Sequence, residues 1–487
     1  VNLSIANILD EIIASVPLLK PELLLIAGFI ICIFCALFLQ KWWKDSAFAA
    51  CLATTVVLIY ALVEQLGLSA TGFSNMWLVD PVGTYARLMI AVSTLIIAIF
   101  IQQRYRAHNG DVYSVLLAAT LGMNVLAATT NWLLAFIGIE IVSIASYVLV
   151  GFFADSKKQA EAAMKYALFG SVCAAVMLYG LSLIYGLTGD LDFRSAQHLQ
   201  GLMTSPQAMV TIAFLFVFVG IGFKLSFVPF HIWSPDVYQG APTPVTAFLS
   251  TIPKVAALIL FMRLYKAWSA GGFYFSDLMV WFMITVAIVT MLVGNLAALR
   301  QNDVKRMMAY SSIGHTGFLL MSISAYQDTS SYILFYIFAY VVTNLAAFIF
   351  IDHIEQRTGT TELTGYAGLG KKMPLLFVCF TVVAVSLIGL PPTIGFVGKL
   401  MIFSAVFDLY GDTQATALVL LLIVGVLTSV ISLFFYFRIP LYAFLRNADR
   451  QYMEHRGSAI LPLLAYVLTA LIIFFGLFPD LLLRMLG

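Results

Sequence analysis

The chain has 487 residues, of which 62% are hydrophobic and 10% charged, against roughly 25% charged in an ordinary soluble domain. So little polar surface cannot coat a water-soluble core of this size, and so much apolar content excludes a disordered chain. A net charge of +2, from 26 basic and 24 acidic residues, points to no nucleic acid and no polyanionic partner.

A polytopic, all-α membrane protein remains, read as one membrane domain over 1–487. A spanning helix needs about 20 apolar residues. That measure predicts fourteen spans, beginning near Pro21, Ser46, Pro81, Val112, Trp132, Gln159, Ala208, Ala241, Leu278, Val304, Ser330, Pro374, Ala415 and Ala459. Thr129-Thr130-Asn131 leaves room only for a tight turn between the fourth and fifth. The first twenty residues carry Asp10 and Glu11, not the basic flank of a cleavable signal peptide. Cys32, Cys35, Cys51, Cys173 and Cys379 all lie in apolar runs and read as small buried hydrophobes. No dinucleotide or phosphate-binding loop and no haem, iron–sulfur or other metal ligand set is visible, so no cofactor and no metal is expected in this chain.

Basic residues set orientation. With the N-terminus outside, sixteen Lys and Arg fall in inner loops, from Lys41 to Arg456 and including Arg106 and Arg450. Lys20, Arg194, Arg263, Lys266 and Arg484 fall outside. Sixteen against five supports an even number of spans and both termini outside.

Five basic residues remain within spans: Arg87, Lys165, Lys224, Lys254 and Lys399. Arg87 is about 9 Å from its outer end and is expected to reach the interface. Lys165 is about 10 Å from its inner end, where partial reach is possible. Lys254 is about 18 Å into its span. Lys224 lies inside the apolar stretch 207–233, and Lys399 inside 374–407, which is too long for one straight helix. Glu140 is central in 132–153. A mid-span charge costs roughly 2.5–3.5 kcal/mol, so these four lysines and one glutamate together cost on the order of 12–18 kcal/mol. Glu140 with Lys165, on consecutive helices, could be a plain structural ion pair. The other three lysines have no obvious carboxylate of their own, and burial readily makes lysine a proton carrier.

Prolines accompany these lysines. Pro229 follows Lys224, Pro253 precedes Lys254, and Pro391-Pro392 precede Lys399. Helix breaks are expected at all four prolines, because proline removes a backbone donor and broken helices at membrane depth line cavities. His231 and His315 are further candidates, since histidine titrates near neutrality. His231 follows Lys224 by seven residues and would share its face on an unbroken helix. Glu140 to Lys224 and His315 to Lys399 are both 84 residues, related by a shift of 175. That suggests two repeats of five helices, about 112–266 and 278–445, the second inverted.

The run Gly222-Phe223-Lys224-Leu225-Ser226-Phe227-Val228-Pro229-Phe230-His231-Ile232-Trp233-Ser234-Pro235-Asp236-Val237-Tyr238-Gln239-Gly240-Ala241-Pro242 resembles the N subunit family of bacterial NADH:quinone oxidoreductase, respiratory complex I. So do Gly138-Ile139-Glu140, Lys165-Tyr166, Tyr310-Ser311-Ser312-Ile313 with His315, and Gly395-Phe396-Val397-Gly398-Lys399. The resemblance covers nearly the whole chain. It implies fourteen helices in two inverted five-helix repeats and a proton-translocating subunit of the bacterial cytoplasmic membrane. NADH, FMN, iron–sulfur clusters and quinone would then belong to other subunits. The partners would be membrane-arm subunits, including a neighbouring antiporter-like one, and the lipid bilayer. It assigns Glu140 and Lys165 to a charge pair, Lys224 to the central carrier, Lys254 to a connecting site and Lys399 to the exit side. The alternatives are a subunit of a multisubunit sodium/proton antiporter or of a membrane-bound hydrogenase, and an inert spacer in a membrane arm.

Overall fold

Within lipid every backbone polar group must be satisfied by the chain itself, so an apolar sequence of this kind folds as helices. The computed structural model describes residues 5–105, 110–153, 156–269, 274–325, 330–447 and 459–486. Arg106, Arg450 and Arg456 of the expected inner loops lie outside the described residues.

A short α1 (Ile5–Ser15) leads into α2 (Lys20–Phe34) and α3 (Ser46–Glu64). A small antiparallel hairpin, β1 (Ala70–Gly72) and β2 (Trp77–Val79), sets Ala70 opposite Val79. Then come α4 (Pro81–Arg104), α5 (Asp111–Ala128), α6 (Trp132–Gly151), α7 (Lys157–Thr188), α8 (Ala196–Thr204), α9 (Gln207–Leu225), α10 (Trp233–Gly240), α11 (Thr243–Trp268) and α12 (Tyr274–Ala298). The chain continues through α13 (Val304–Ser324), α14 (Ser330–Thr358), α15 (Leu369–Lys372), α16 (Pro374–Ile388), α17 (Ile394–Thr413), α18 (Thr416–Tyr436), α19 (Arg438–Leu445), α20 (Ile460–Leu477) and α21 (Pro479–Leu486). Side-chain caps start several spans. Asp80 accepts from the Gly83 N–H at α4, and Asn131 accepts from Leu133 and Leu134 at α6, each satisfying donors a helix start leaves open. The tight turn expected at Thr129-Thr130-Asn131 is there, between Ala128 and Trp132.

Thirteen helices among the described residues are long and apolar enough to cross a membrane. The difference from fourteen lies in one helix. α13 has the length, but Ser311, Ser312, His315 and Thr316 make it more polar. α16 and α17 are two halves of one predicted span. Counted that way, each of the fourteen predicted spans corresponds to a helix or a broken pair.

The chain packs as two compact units, one of Val1–Phe153, Ala163–Lys224 and Ile252–Leu278, the other of Ala154–Ala162, Leu225–Thr251 and Met279–Gly487. In the first, α5 packs against α2, α4 and α6. In the second, α14 is the central post, touching α13, α16, α17 and α20. It is largely apolar and buried almost throughout from Ile333 to Ile351, as a mostly apolar helix packed by neighbours must be.

Arg87 does not reach the interface. Its side chain is 1% exposed, and its guanidinium pairs with Glu22 at 2.5 Å. Nε donates to Asn124 and Nη1 to Gln65, each at 3.2 Å, and the group lies 5.8 Å from the Trp77 ring centroid. Depth along one helix suggested an escape to water. The lateral neighbours from α2, the residue after α3, and α5 offer a better one, because they satisfy the buried charge in place.

Candidate functional site

In the first unit, Glu140 is half-buried on α6. It falls on the stripe of Leu133, Ile137, Ile144 and Val148, which are 41–58% exposed. Lys165 lies on the outward face of α7 beside Met164 and Leu168. Lys224 is different: it is 4% exposed at the end of α9, and among the described residues its Nζ has no hydrogen-bond partner. The nearest ring is Phe223, 5.7 Å from Nζ. Glu140 and Lys224 lie close enough to feel one another's charge. Aromatic contacts fix the three helices around them. Tyr147 on α6 meets Tyr166 on α7 at 4.7 Å, and Tyr166 meets Phe223 on α9 at 5.6 Å.

Lys254 is 2% exposed on α11. The break expected at Pro253 is absent, for α11 runs through it from Thr243 to Trp268. Proline there withdraws the donor that would meet the Leu249 carbonyl. The Tyr238 hydroxyl replaces it, donating to Leu249 O at 3.3 Å. A satisfied carbonyl gives the helix no reason to open.

The break after α9 is real. Ser226 takes a left-handed φ of +58°, and helix resumes only at Trp233. Backbone exposed at membrane depth must find partners. Thr316 Oγ1 donates to the orphaned Leu225 O at 3.0 Å, and the Val228 N–H donates to Thr290 Oγ1 at 3.1 Å. His231 lies in this break, half-buried, with Nδ1 unpartnered among the described residues. No unbroken helix carries it onto the face of Lys224, so that argument for its role fails.

α13 is the polar hub of the second unit. Its His315, 7% exposed, shares a hydrogen bond between Nδ1 and the Tyr336 hydroxyl at 2.8 Å. Ser312 meets the Tyr340 hydroxyl at 2.7 Å, and that hydroxyl donates to Ser250 O at 2.6 Å. Ser311 meets the Tyr436 hydroxyl. The three tyrosines were not singled out from the sequence. For two of them the signal is spacing: Tyr336, Tyr340 and Asn344 recur every four residues on one face of α14.

The second break, between Ile388 and Ile394, holds Pro391 and Pro392 as expected. It builds a cradle for Lys399. Nζ donates to Ile388 O at 2.8 Å, Leu387 O at 3.3 Å and Ser429 Oγ at 3.2 Å. An ammonium has three donors, and here each has an acceptor. Two of these are terminal carbonyls of α16, at the negative end of its dipole. The Phe318 ring adds a face 4.5 Å from Nζ. Gly389 ends α16 with φ +88°, and a Cβ there would stand 2.7 Å from Lys399 Cδ. At Gly395 a Cβ would collide with Ser386 O. Both glycines let the half-helices approach.

The 175-residue register fits helices better than breaks. α6 and α13 begin 172 residues apart, α7 and α14 173. The halves that end in breaks finish at Leu225 and Ile388, only 163 apart. Lys224 thus precedes its break, while Lys399 follows its own.

The family described as NADH:quinone oxidoreductase/Mrp antiporter, transmembrane, matches residues 129–432. The NADH-quinone oxidoreductase subunit N 2 of Chloroherpeton thalassium is 38% identical over 83% of this chain and 81% of its own. Subunit N of Chlorobium chlorochromatii is 34% identical over 97% and 94%. A chain of respiratory complex I from Thermus thermophilus with bound aureothin shares the fold with a TM-score of 0.81, at 28% identity over 96% of this chain and 99% of that one. A chain of the Mrp complex from Dietzia, 20% identical with a TM-score of 0.79 over 96% of this chain and 51% of that one, shares the fold. The chain belongs to the NADH-quinone oxidoreductase subunit N family, within the antiporter-like membrane proteins.

Proposed function

We propose that this chain translocates protons as a redox-inert membrane-arm subunit of an NADH:quinone oxidoreductase, with NADH, FMN, iron–sulfur clusters and quinone in other subunits. The observation that carries this reading is Lys224: a buried amine without a hydrogen-bond partner among the described residues, at a broken helix end, in the field of Glu140. No structural bond holds it in one protonation state. At 4 Å and an effective dielectric near 20, a neighbouring charge is worth about 4 kcal/mol. Moving charge at Glu140 and Lys165 therefore toggles the proton on Lys224. Lys254 passes protons onward, and Lys399, cradled by carbonyls, holds one on the exit side. His231 and His315 serve as relays, the latter through Tyr336. Each proton must be raised against about 2.3 kcal/mol per 100 mV of membrane potential.

The outward placing of Glu140 and Lys165 supports a neighbouring antiporter-like subunit on that face, since lipid alone would leave a costly mid-span carboxylate uncovered. The bias of basic residues supports both termini outside the cytoplasmic membrane. The test is Lys224→Ala in the assembled complex, read as protons pumped per NADH oxidised. We expect pumping to fall several-fold with the complex intact. Unchanged stoichiometry would sink the assignment.

A further inference from the structure

Three helix ends meet around an open cavity in the second unit. They are the end of α14, the start of α16 and the start of α20, which pack on one another. The cavity holds about 600 Å³. One wall is polar, with His353 and Arg357 four residues apart on α14 and the Tyr466 ring from α20. The rest is apolar, with Leu375, Pro462 and Leu463 prominent. Arg357 is the unusual member. Its Nε is buried and has no hydrogen-bond partner, and it makes no ion pair with a carboxylate among the described residues. Lys371 and Lys372 stand exposed just before α16.

Helix termini of membrane spans lie at the interface, where lipid headgroups are. A guanidinium with free donors matches phosphate geometry, and basic pockets between spans at an interface bind anionic headgroups. The Leu375, Pro462 and Leu463 wall suits acyl chain and would disfavour a free, fully hydrated anion. We propose that this cavity is a binding site for one phosphate-bearing anionic phospholipid, its headgroup on Arg357, His353 and Tyr466 and an acyl chain along α16 and α20. The lipid would wedge three helices that frame the central post α14. It is independent of the proton-transfer residues.

The test uses the assembled complex in nanodiscs of phosphatidylcholine doped with phosphatidylglycerol carrying a photoactivatable acyl chain. Labelled peptides are mapped by mass spectrometry. Labelling is expected at Leu375–Leu376 and Pro462–Leu463, and unlabelled phosphatidylglycerol should compete where inorganic phosphate does not. Arg357→Gln should lower this labelling about fivefold, the equivalent of about 1 kcal/mol for one basic residue near the surface, and Arg357→Lys should restore part of it. Leu463→Trp narrows the apolar side of the cavity without touching the charge and should also lower labelling, which keeps the test decisive if Arg357→Gln fails to assemble. Equal labelling in wild type and Leu463→Trp, equal labelling by a phosphatidylcholine probe, or displacement by inorganic phosphate would each overturn the proposal.

Discussion

Lys224 and Lys399 are the same residue type, each beside a break in its span, yet their surroundings differ. Lys399 has three acceptors and an aromatic face at 4.5 Å; among the described residues Lys224 has no acceptor, a more distant ring in Phe223 and the field of Glu140. Cost makes both legible in the sequence, because a charge in an apolar run needs a reason. Their partners were not legible, because main-chain carbonyls and a serine carry no distinguishing letter. Arg87 shows the same limit from the other side. Glu22 lies 65 residues away, and depth along α4 says nothing about it. The pair gives a clear prediction. Arg87→Met should strand the Glu22 carboxylate and destabilise the protein by about 3–5 kcal/mol. Adding Glu22→Gln should recover most of that, since an uncharged pair needs no counter-ion. The midpoint of heat inactivation of the purified complex measures both; equal loss in single and double variants would show that the pair does not act as a unit.

At the scale of elements, three carbonyls or carbonyl pairs freed near prolines or breaks are each taken up by a neighbour. Thr316 meets Leu225 O, Tyr238 meets Leu249 O, and Lys399 meets Leu387 and Ile388 O. Whether a span bends or breaks therefore depends on what stands beside it as well as on its prolines. Pro253 could be read from the sequence; the hydroxyl fifteen residues earlier that keeps its helix continuous could not. A double-mutant cycle isolates the effect. Tyr238→Phe leaves Leu249 O unsatisfied and should cost about 1–3 kcal/mol. In a Pro253→Ala background the restored N–H meets that carbonyl, so the same substitution should cost less by at least about 0.5 kcal/mol. Equal costs in the two backgrounds, read from thermal inactivation, would mean that Tyr238 acts through its contacts with Ser234 and Ser312 instead.

At the scale of the molecule, the span count and the polar residues inside the spans were readable from hydropathy alone, because lipid enforces both. Which face of each helix looks outward was not, because in a chain this apolar the lipid-facing and core-facing residues are chemically alike. The structure supplies it, and α6 and α7 give it functional weight. Glu140 lies on a stripe whose other members are largely exposed, and Lys165 lies on the outward face of α7. On the proposed reading, a neighbouring membrane-arm subunit covers this face with protein and resolves the cost, and the first charges of the proposed pathway then lie where that neighbour's conformation can move them. A photo-reactive amino acid at Ile144 or Leu168, both well exposed on this face, should cross-link to an adjacent membrane-arm subunit in the purified complex. Replacing Glu140 by Gln should leave that cross-link intact while lowering the protons pumped per NADH. Cross-links to lipid alone at both positions would place this face in the bilayer, and the coupling would then have to enter the chain elsewhere.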